Sequence, residues 1–244
     1  MKISVISDLH AARKDNVENK GASLLRSFLC NPKVLDSDIV VFLGDIFDFM
    51  VGGFEEYKNN YSDFFNFLDT CSEKKIYFIE GNHDFLCQKL FLKYKNFIYL
   101  TRPETIVDNG VKIYLSHGDN PALSNLGYKM TKNILNNFIV NFIVNHLINY
   151  RVLSTIGNFL SAKSREININ KYGPNTINLE LRNFYINFAK ELFVQKINIV
   201  ILGHNHIHEF FQEEDCFYIN NGFPQQTGFF TYVEDGRPML MSIL

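Results

Sequence analysis

The chain has 244 residues, 46% of them hydrophobic and 20% charged, with a net charge of −2 when histidine is neutral. This length can bury the core of one large α/β domain or two small ones. The charge balance excludes a global field for capturing nucleic acid, so no nucleic-acid partner is expected.

The four cysteines, Cys30, Cys71, Cys87 and Cys216, are scattered without close pairs. That pattern fits neither a disulfide framework nor a zinc knuckle, and reduced thiols in a cytoplasmic protein are the expectation. The opening MKISVISDLH meets charge too soon for a signal peptide, and no apolar run reaches the ~20 residues that span a bilayer.

In chain order, five short apolar runs each end in a polar cluster. Ile3–Ile6 runs into SDLH, Ile39–Leu43 into GDIFD, and Ile76–Ile79 into EGNHD. Val111–Leu115 runs into SHGD and Ile197–Leu202 into GHNH. Continuous runs of this length read as strands buried on both faces. Ala22–Leu29 and Tyr61–Cys71 have helical character, and strand–helix alternation argues for an α/β fold.

Glu104–Leu115 reads as a hairpin turning at Asp108-Asn109-Gly110. Residues 121–195 lack strand character and read as a helical insertion in a single domain spanning 1–244. The stretches CFYINNG and TGFFTYVEDGRPMLMSIL read as a meander of antiparallel strands turning at Asp235-Gly236. Two packed sheets with helices outside follow.

Ligands in open α/β sheets bind at the carboxyl ends of strands. Asp8, His10, Asp45, Asn82, His83, His117, His204 and His206 all fall just after a run, and they include five of the seven histidines. Imidazole, carboxylate and amide oxygen without thiolate suit Mn²⁺, Fe²⁺ or Zn²⁺. Two ions ~3.5–4 Å apart need a bridging anion, and Asp45 in the central Gly-Asp is the natural one. Blander roles stand beside these. A lone Asp or Asn before glycine is usually a turn residue. Asp48 reads as a cap or a support for a ligand, and Asp119 either orients a ligand histidine or closes a turn.

The order Asp8-Leu9-His10, Gly44-Asp45, Gly81-Asn82-His83-Asp84, His117-Gly118-Asp119, Gly203-His204-Asn205-His206 resembles the calcineurin-like metallophosphoesterase superfamily. The resemblance implies a four-layer α/β/β/α sandwich and two divalent ions, Mn²⁺ foremost. By it, one ion takes Asp8, His10, Asp45 and His206, and the other Asp45, Asn82, His117 and His204. His83, oriented by Asp84, protonates the leaving oxygen in such a scheme. His208 lies past the motif and reads as a strand residue on a partly exposed face.

TKNILNNFIVNFIVNHLINYR in the insertion carries no charge between Lys132 and Arg151, and asparagines recur at 133, 137, 141, 145 and 149. Four-residue spacing draws a polar stripe on a broadly apolar helix. Three readings follow: a helix buried within a lid, a groove for acyl chains, or contact with a membrane surface.

The SAKSREININKYG that follows resembles the lid of the UDP-2,3-diacylglucosamine diphosphatases of the lipid A pathway. That resemblance implies a lipid-linked nucleotide-sugar substrate bound by Ser164, Arg165, Asn168 and Lys171, with Glu166 also matching the lid pattern. It implies hydrolysis to UMP and 2,3-diacylglucosamine 1-phosphate, at the cytoplasmic face of the membrane. Those relatives carry arginine where this chain has His83, and this chain has Ser124 and Asn125 where acidic residues are expected. A phosphodiesterase or phosphomonoesterase with another apolar or nucleotide substrate is therefore a rival reading. A non-catalytic binding protein on the same fold is another.

Overall fold

The computed structural model describes residues 1–14, 17–119, 142–145, 148–155 and 178–244. The strands are β1 (Lys2–Ile6), β2 (Arg13–Lys14), β3 (Val17–Glu18), β4 (Ile39–Phe42), β5 (Met50–Val51), β6 (Lys75–Ile79), β7 (Asp84–Phe85) and β8 (Phe97–Leu100), then β9 (Glu104–Asp108), β10 (Val111–Ser116), β11 (Ile199–Leu202), β12 (His208–Glu213), β13 (Cys216–Asn221), β14 (Phe229–Glu234) and β15 (Arg237–Ser242). The named helices are α1 (Lys20–Cys30), α2 (Pro32–Leu35), α3 (Glu56–Asn60), α4 (Ser62–Thr70), α5 (Leu179–Val194) and α6 (Pro224–Thr227).

The strands form two sheets, ordered β15-β14-β1-β4-β6-β8 and β12-β13-β11-β10-β9, plus two short pairs. Alternation along each strand explains the layers. Ile3, Val5, Ile39, Val41 and Ile79 of the first sheet meet Ile113, Leu115, Ile199, Ile201 and Ile219 of the second. The opposite face of the first sheet, with Phe42, Phe78 and Phe230, packs on Leu25 and Phe28 of α1 and on Phe64 and Leu68 of α4. Val200, Leu202 and Tyr218 on the far face of the second sheet pack on Tyr185, Ile186, Ala189 and Leu192 of α5. The result is an α/β/β/α sandwich. Both faces of β4 and β11 are covered, which is why IVVF and IVIL are apolar without a break.

The abundant phenylalanines fill the first helix–sheet layer. Phe42 meets Phe64 edge-on at 4.9 Å and Phe28 meets Phe230 at 5.2 Å. Each fully buried side chain of this kind stabilises by about 1.5–3 kcal/mol.

Three elements differ from the sequence reading. α5, counted there within the 121–195 insertion, is the outer helix of the sandwich itself. β13 is not part of a purely antiparallel meander: it pairs parallel with β11 and antiparallel with β12, while β14 joins the other sheet against β1. β12 is legible in the sequence only at His208, because it is an edge strand whose residues are mostly exposed, which removes the apolar signal.

Of the uncharged stretch, residues 142–145 and 148–151 are described. Val144 is buried with Val51 and Leu86, and Ile148 and Leu153 pack beside them. Tyr150 rests edge-on against Tyr57 at 5.3 Å, and its hydroxyl accepts from Asn60 at 2.7 Å. Asn145, a member of the polar stripe, faces the body and accepts from the Gly53 amide at 2.7 Å, whereas Phe142 and Ile143 are exposed. The stripe thus includes an anchoring group. No helix among the described residues is long and apolar enough to cross a membrane.

Candidate metal centre

β1, β4 and β6 run parallel in one sheet, and β10, β11 and β13 in the other. Their carboxyl ends therefore open on the same rim. The loops there are bonded to one another: the Asp8 amide donates to Gly44 O at 3.1 Å and the His10 amide to Asp45 O at 3.0 Å. Ten described non-glycine residues have positive φ, and five of them are Asp8 (55°), His10 (47°), Asp45 (52°), His204 (68°) and His206 (57°). Each left-handed residue costs about 1–2 kcal/mol. Such a concentration persists only where the surroundings impose it, and it makes this rim the candidate site.

All seven residues matched to the ligand pattern lie at this rim. Ligand atoms of Asp8, His10 and His206 all fall within 4.8 Å of one another, as do those of Asp45, His117 and His204. His206 Nε2 is 3.3 Å from Asp8 Oδ1 and 3.4 Å from His10 Nε2. His117 Nε2 is 3.5 Å from Asp45 Oδ2 and 3.3 Å from Asn82 Oδ1. Asp45 Oδ2 also lies 3.8 Å from His10 Nε2, so the same oxygen faces both groups. Two histidines and one carboxylate per group, with Asn82 at the edge, form a donor set of the kind that holds borderline divalent ions. A third group, His10, Asp48 and His83, shares His10 with the first.

Glycines let the backbone approach the carboxylates. A Cβ on Gly81 would fall 2.2 Å from Asp45 Oδ1, and one on Gly203 would fall 2.5 Å from Asp8 Oδ2. Any side chain at either position would displace a candidate ligand.

Asp84 is fully buried and does not turn to the His83 ring. Its Oδ1 accepts from the Asp45 amide at 2.9 Å and the Gly81 amide at 3.0 Å. Its Oδ2 accepts from Ile46 at 2.7 Å and Phe47 at 3.2 Å. Asp84 thus holds the Asp45 loop. The His83 ring is held instead by Nδ1, 2.8 Å from the Asp48 carbonyl, and lies edge-on to His10 at 4.7 Å.

Four supporting residues went unnoticed in the sequence. Asn221 is buried at the end of β13 and ties down the Asp8 loop, accepting from the Ser7 hydroxyl at 3.1 Å and donating to Ser7 O at 3.3 Å. Its neighbour Asn220 donates to Gly203 O at 3.1 Å and to Asn205 Oδ1 at 2.9 Å, steadying the His204–His206 turn. Asn19 caps α1 by accepting from Ala22, and donates to His10 O at 2.7 Å. Phe223 stacks on His206. Both polar residues of INNG end a strand and precede glycine, which is the one signal that was available.

Electrostatics divides the histidines. Burial pushes His10 and His204 down to about 4, so both are neutral at pH 7, the form in which an imidazole ligates a cation. Burial acts the same way on His117, but the negative charges of Asp45 and Asp8 outweigh it and hold this ring up to about 10. Asp45 is nearly inaccessible, and burial works against its ionisation; His117 and the neighbouring rings nevertheless keep it well below the usual carboxylate range. Asp84, desolvated and facing the charge of Asp45, is raised to about 7.

His208 opens β12, exposed, with its ring 5.6 Å from Phe229, and shares no candidate group among the described residues. Ser164, Arg165, Glu166, Asn168 and Lys171 lie outside the described residues, as do Ser124 and Asn125.

The model of the calcineurin-like phosphoesterase family matches residues 1–208. Over 214 residues the chain is 26% identical to the UDP-2,3-diacylglucosamine hydrolase of Wigglesworthia glossinidia brevipalpis, covering 85% of this chain and 79% of that protein. It is 32% identical over 133 residues to the UDP-2,3-diacylglucosamine hydrolase of Vibrio atlanticus, a match that covers 52% of this chain and 51% of the relative. An archaeal phosphodiesterase of known structure superposes with a TM-score of 0.48 at 14% identity, covering 99% of both chains. Family and donor groups together imply divalent metal ions. The chain belongs to the calcineurin-like phosphoesterase family and is a hydrolase.

Proposed function

We propose that the chain hydrolyses the diphosphate of UDP-2,3-diacylglucosamine, giving UMP and 2,3-diacylglucosamine 1-phosphate, with two Mn²⁺ ions. The observation that carries the chemistry is the pair of donor groups meeting at Asp45 Oδ2. The substrate is supported by the names of the relatives matched across this region.

Asp8, His10, Asp45 and His206 would hold one ion, and Asp45, Asn82, His117 and His204 the other. Such a pair, when bound, supplies a hydroxide nucleophile near neutral pH and neutralises phosphoryl oxygens. The oxygen of water joins the α-phosphorus beside uridine, and the bond to the bridging oxygen breaks. Asp45, fixed through its amide by Asp84, sets the position of attack.

His83 Nδ1 donates to the Asp48 carbonyl, which leaves Nε2 as the ring nitrogen outside that bond. From there it can serve the leaving oxygen. Ser164, Arg165, Asn168 and Lys171 would bind sugar and phosphate. Exposed Phe142, Ile143 and Val152 would rest near acyl chains or the cytoplasmic membrane surface.

A second reading keeps the centre and changes the substrate: a phosphodiesterase or phosphomonoesterase with a poorer leaving group. The orientation of His83 favours it, because a phosphate leaving group needs little protonation.

The test is product analysis with purified protein, Mn²⁺ and UDP-2,3-diacylglucosamine, beside an aryl phosphodiester. Release of UMP from the acylated sugar, lost in Asp45→Ala, supports the first reading. Aryl diester turnover without UMP release selects the second. A protein that carries two ions and hydrolyses neither removes both and leaves a binding role.

A further inference from the structure

The two sides of the centre secure their histidines differently. His117 is buried, and its Nδ1 donates to the Leu43 carbonyl at 3.0 Å. A ligand histidine usually has such a partner on its far nitrogen, which fixes the ring and its tautomer. His206 has none among the described residues. Both of its polar contacts run through Nε2, to His10 and Asp8, and its side chain is 41% exposed.

What lies against the His206 ring is Phe223. The two rings stack, with centroids 5.1 Å apart and planes 14° from parallel. Phe223 also meets His10 at 5.9 Å, and His10 meets His206 at 5.3 Å, so three rings close one side of the centre. We propose that Phe223 is a positioning residue that holds the His206 imidazole toward Asp8 and His10, and so sets the affinity of the ion those three residues would share. The inference rests on the two-ion reading above.

Phe223 is suited to the task because its own backbone is fixed. Its carbonyl accepts from the Gln226 amide at 2.8 Å and the Thr227 amide at 3.0 Å. Gln225, in the same turn, donates to Leu9 O at 2.8 Å, tying α6 to the loop that carries Asp8 and His10. Before it, Asn221 bonds Ser7 and Asn220 bonds Gly203. The stack therefore rests on a support braced against both ligand loops. An aromatic face also attracts an imidazole that becomes electron-poor on binding a cation.

The test is a Mn²⁺ titration of the whole protein, with free Mn²⁺ followed by electron paramagnetic resonance. It compares the native chain with Phe223→Leu, Phe223→Ala and Phe223→Tyr, and thermal unfolding establishes that each variant is folded. The native chain should bind two ions. Leucine and alanine should weaken one of the two about tenfold, leave the other unchanged, and be rescued by tyrosine. A native chain that binds no Mn²⁺ would sink the two-ion reading itself. Two ions bound with unchanged affinities in Phe223→Leu would overturn the role of Phe223 alone. So would equal weakening of both ions, or of leucine and tyrosine alike.

Discussion

The inner and outer sides of the centre are built from the same residue types but held by different physics. On the inner side, Asp45 and His117 are almost wholly buried and bonded to backbone at several points. On the outer side Asp8 and His10 are buried as well, and only His206 is exposed and steadied by a ring stack. Burial makes the inner electrostatics strong and leaves the inner geometry little freedom. The outer side gives up some of that rigidity and keeps an open approach. An ion on the outer side should accordingly be the more exchangeable of the two.

The sharpest way to break this comparison is to remove the residue common to both sides. Asp45→Ala deletes the oxygen facing His10 and His117 and should abolish the tight binding of both ions. Hydrolysis of any phosphoester that the native chain cleaves should fall about 10³-fold or more. Metal analysis after gel filtration, with a turnover assay, checks it. Retention of one ion at full affinity would mean that Asp45 belongs to one side only.

Asp84→Asn tests whether the inner loop depends on its buried acceptor. The amide turns an NH₂ group toward backbone N–H groups that now meet oxygen. Leaving buried donors unmatched costs about 1–3 kcal/mol each, so chemical denaturation should show a loss of about 2–4 kcal/mol. An undiminished stability would mean that the loop holds without this carboxylate.

Much of this site was legible in the sequence because the motifs follow apolar runs, and a parallel strand can only deliver its following loop to one end of the sheet. Asp8, Asp45, His117 and His204 needed nothing more. The roles of Asp84 and Asn221 were not legible, because they act through backbone groups far away in the chain. Nothing in Asp84's neighbourhood of sequence says that its partners are the amides of 45–47. Phe223 was hidden for a similar reason: ring stacking leaves no spacing rule. In the fold, α5 was misplaced because its helical pattern continues that of the insertion, and only Tyr185 and Ala189 docking on Val200 and Tyr218 separates it.

Acidity gives a finer probe of the inner side. His117 is held up to about 10, above its ordinary value, so at pH 7 it carries a proton that a cation must displace. His10 and His204, down at about 4, carry none. Apparent affinity on the inner side should therefore rise about tenfold per pH unit from 7 to 9 and level off near 10. Calorimetry in buffers of different ionisation enthalpy should register one proton released on the inner side. No release at pH 7 would place His117 outside the ligand set.

The smallest expected effect concerns the third histidine of the run HNHIH. His204 and His206 reach the centre because both sit at positive φ, in a turn where alternate residues do not share a face as they would in a strand. His208 follows the turn and has entered β12, opposite Asn221, with its Nδ1 3.5 Å from the Asn221 carbonyl. At that edge its ring lies beside Phe229 and not with the candidate ligands. His208→Ala should leave both ions in place and turnover within about twofold, with stability changed by ~0.5 kcal/mol or less, as for an ordinary surface position. If the variant instead lost an ion, the outer side would extend along β12. The exposed histidine at its rim would then be His208 as well as His206, and the contrast between a buried and an open side would have to be redrawn around a larger outer site.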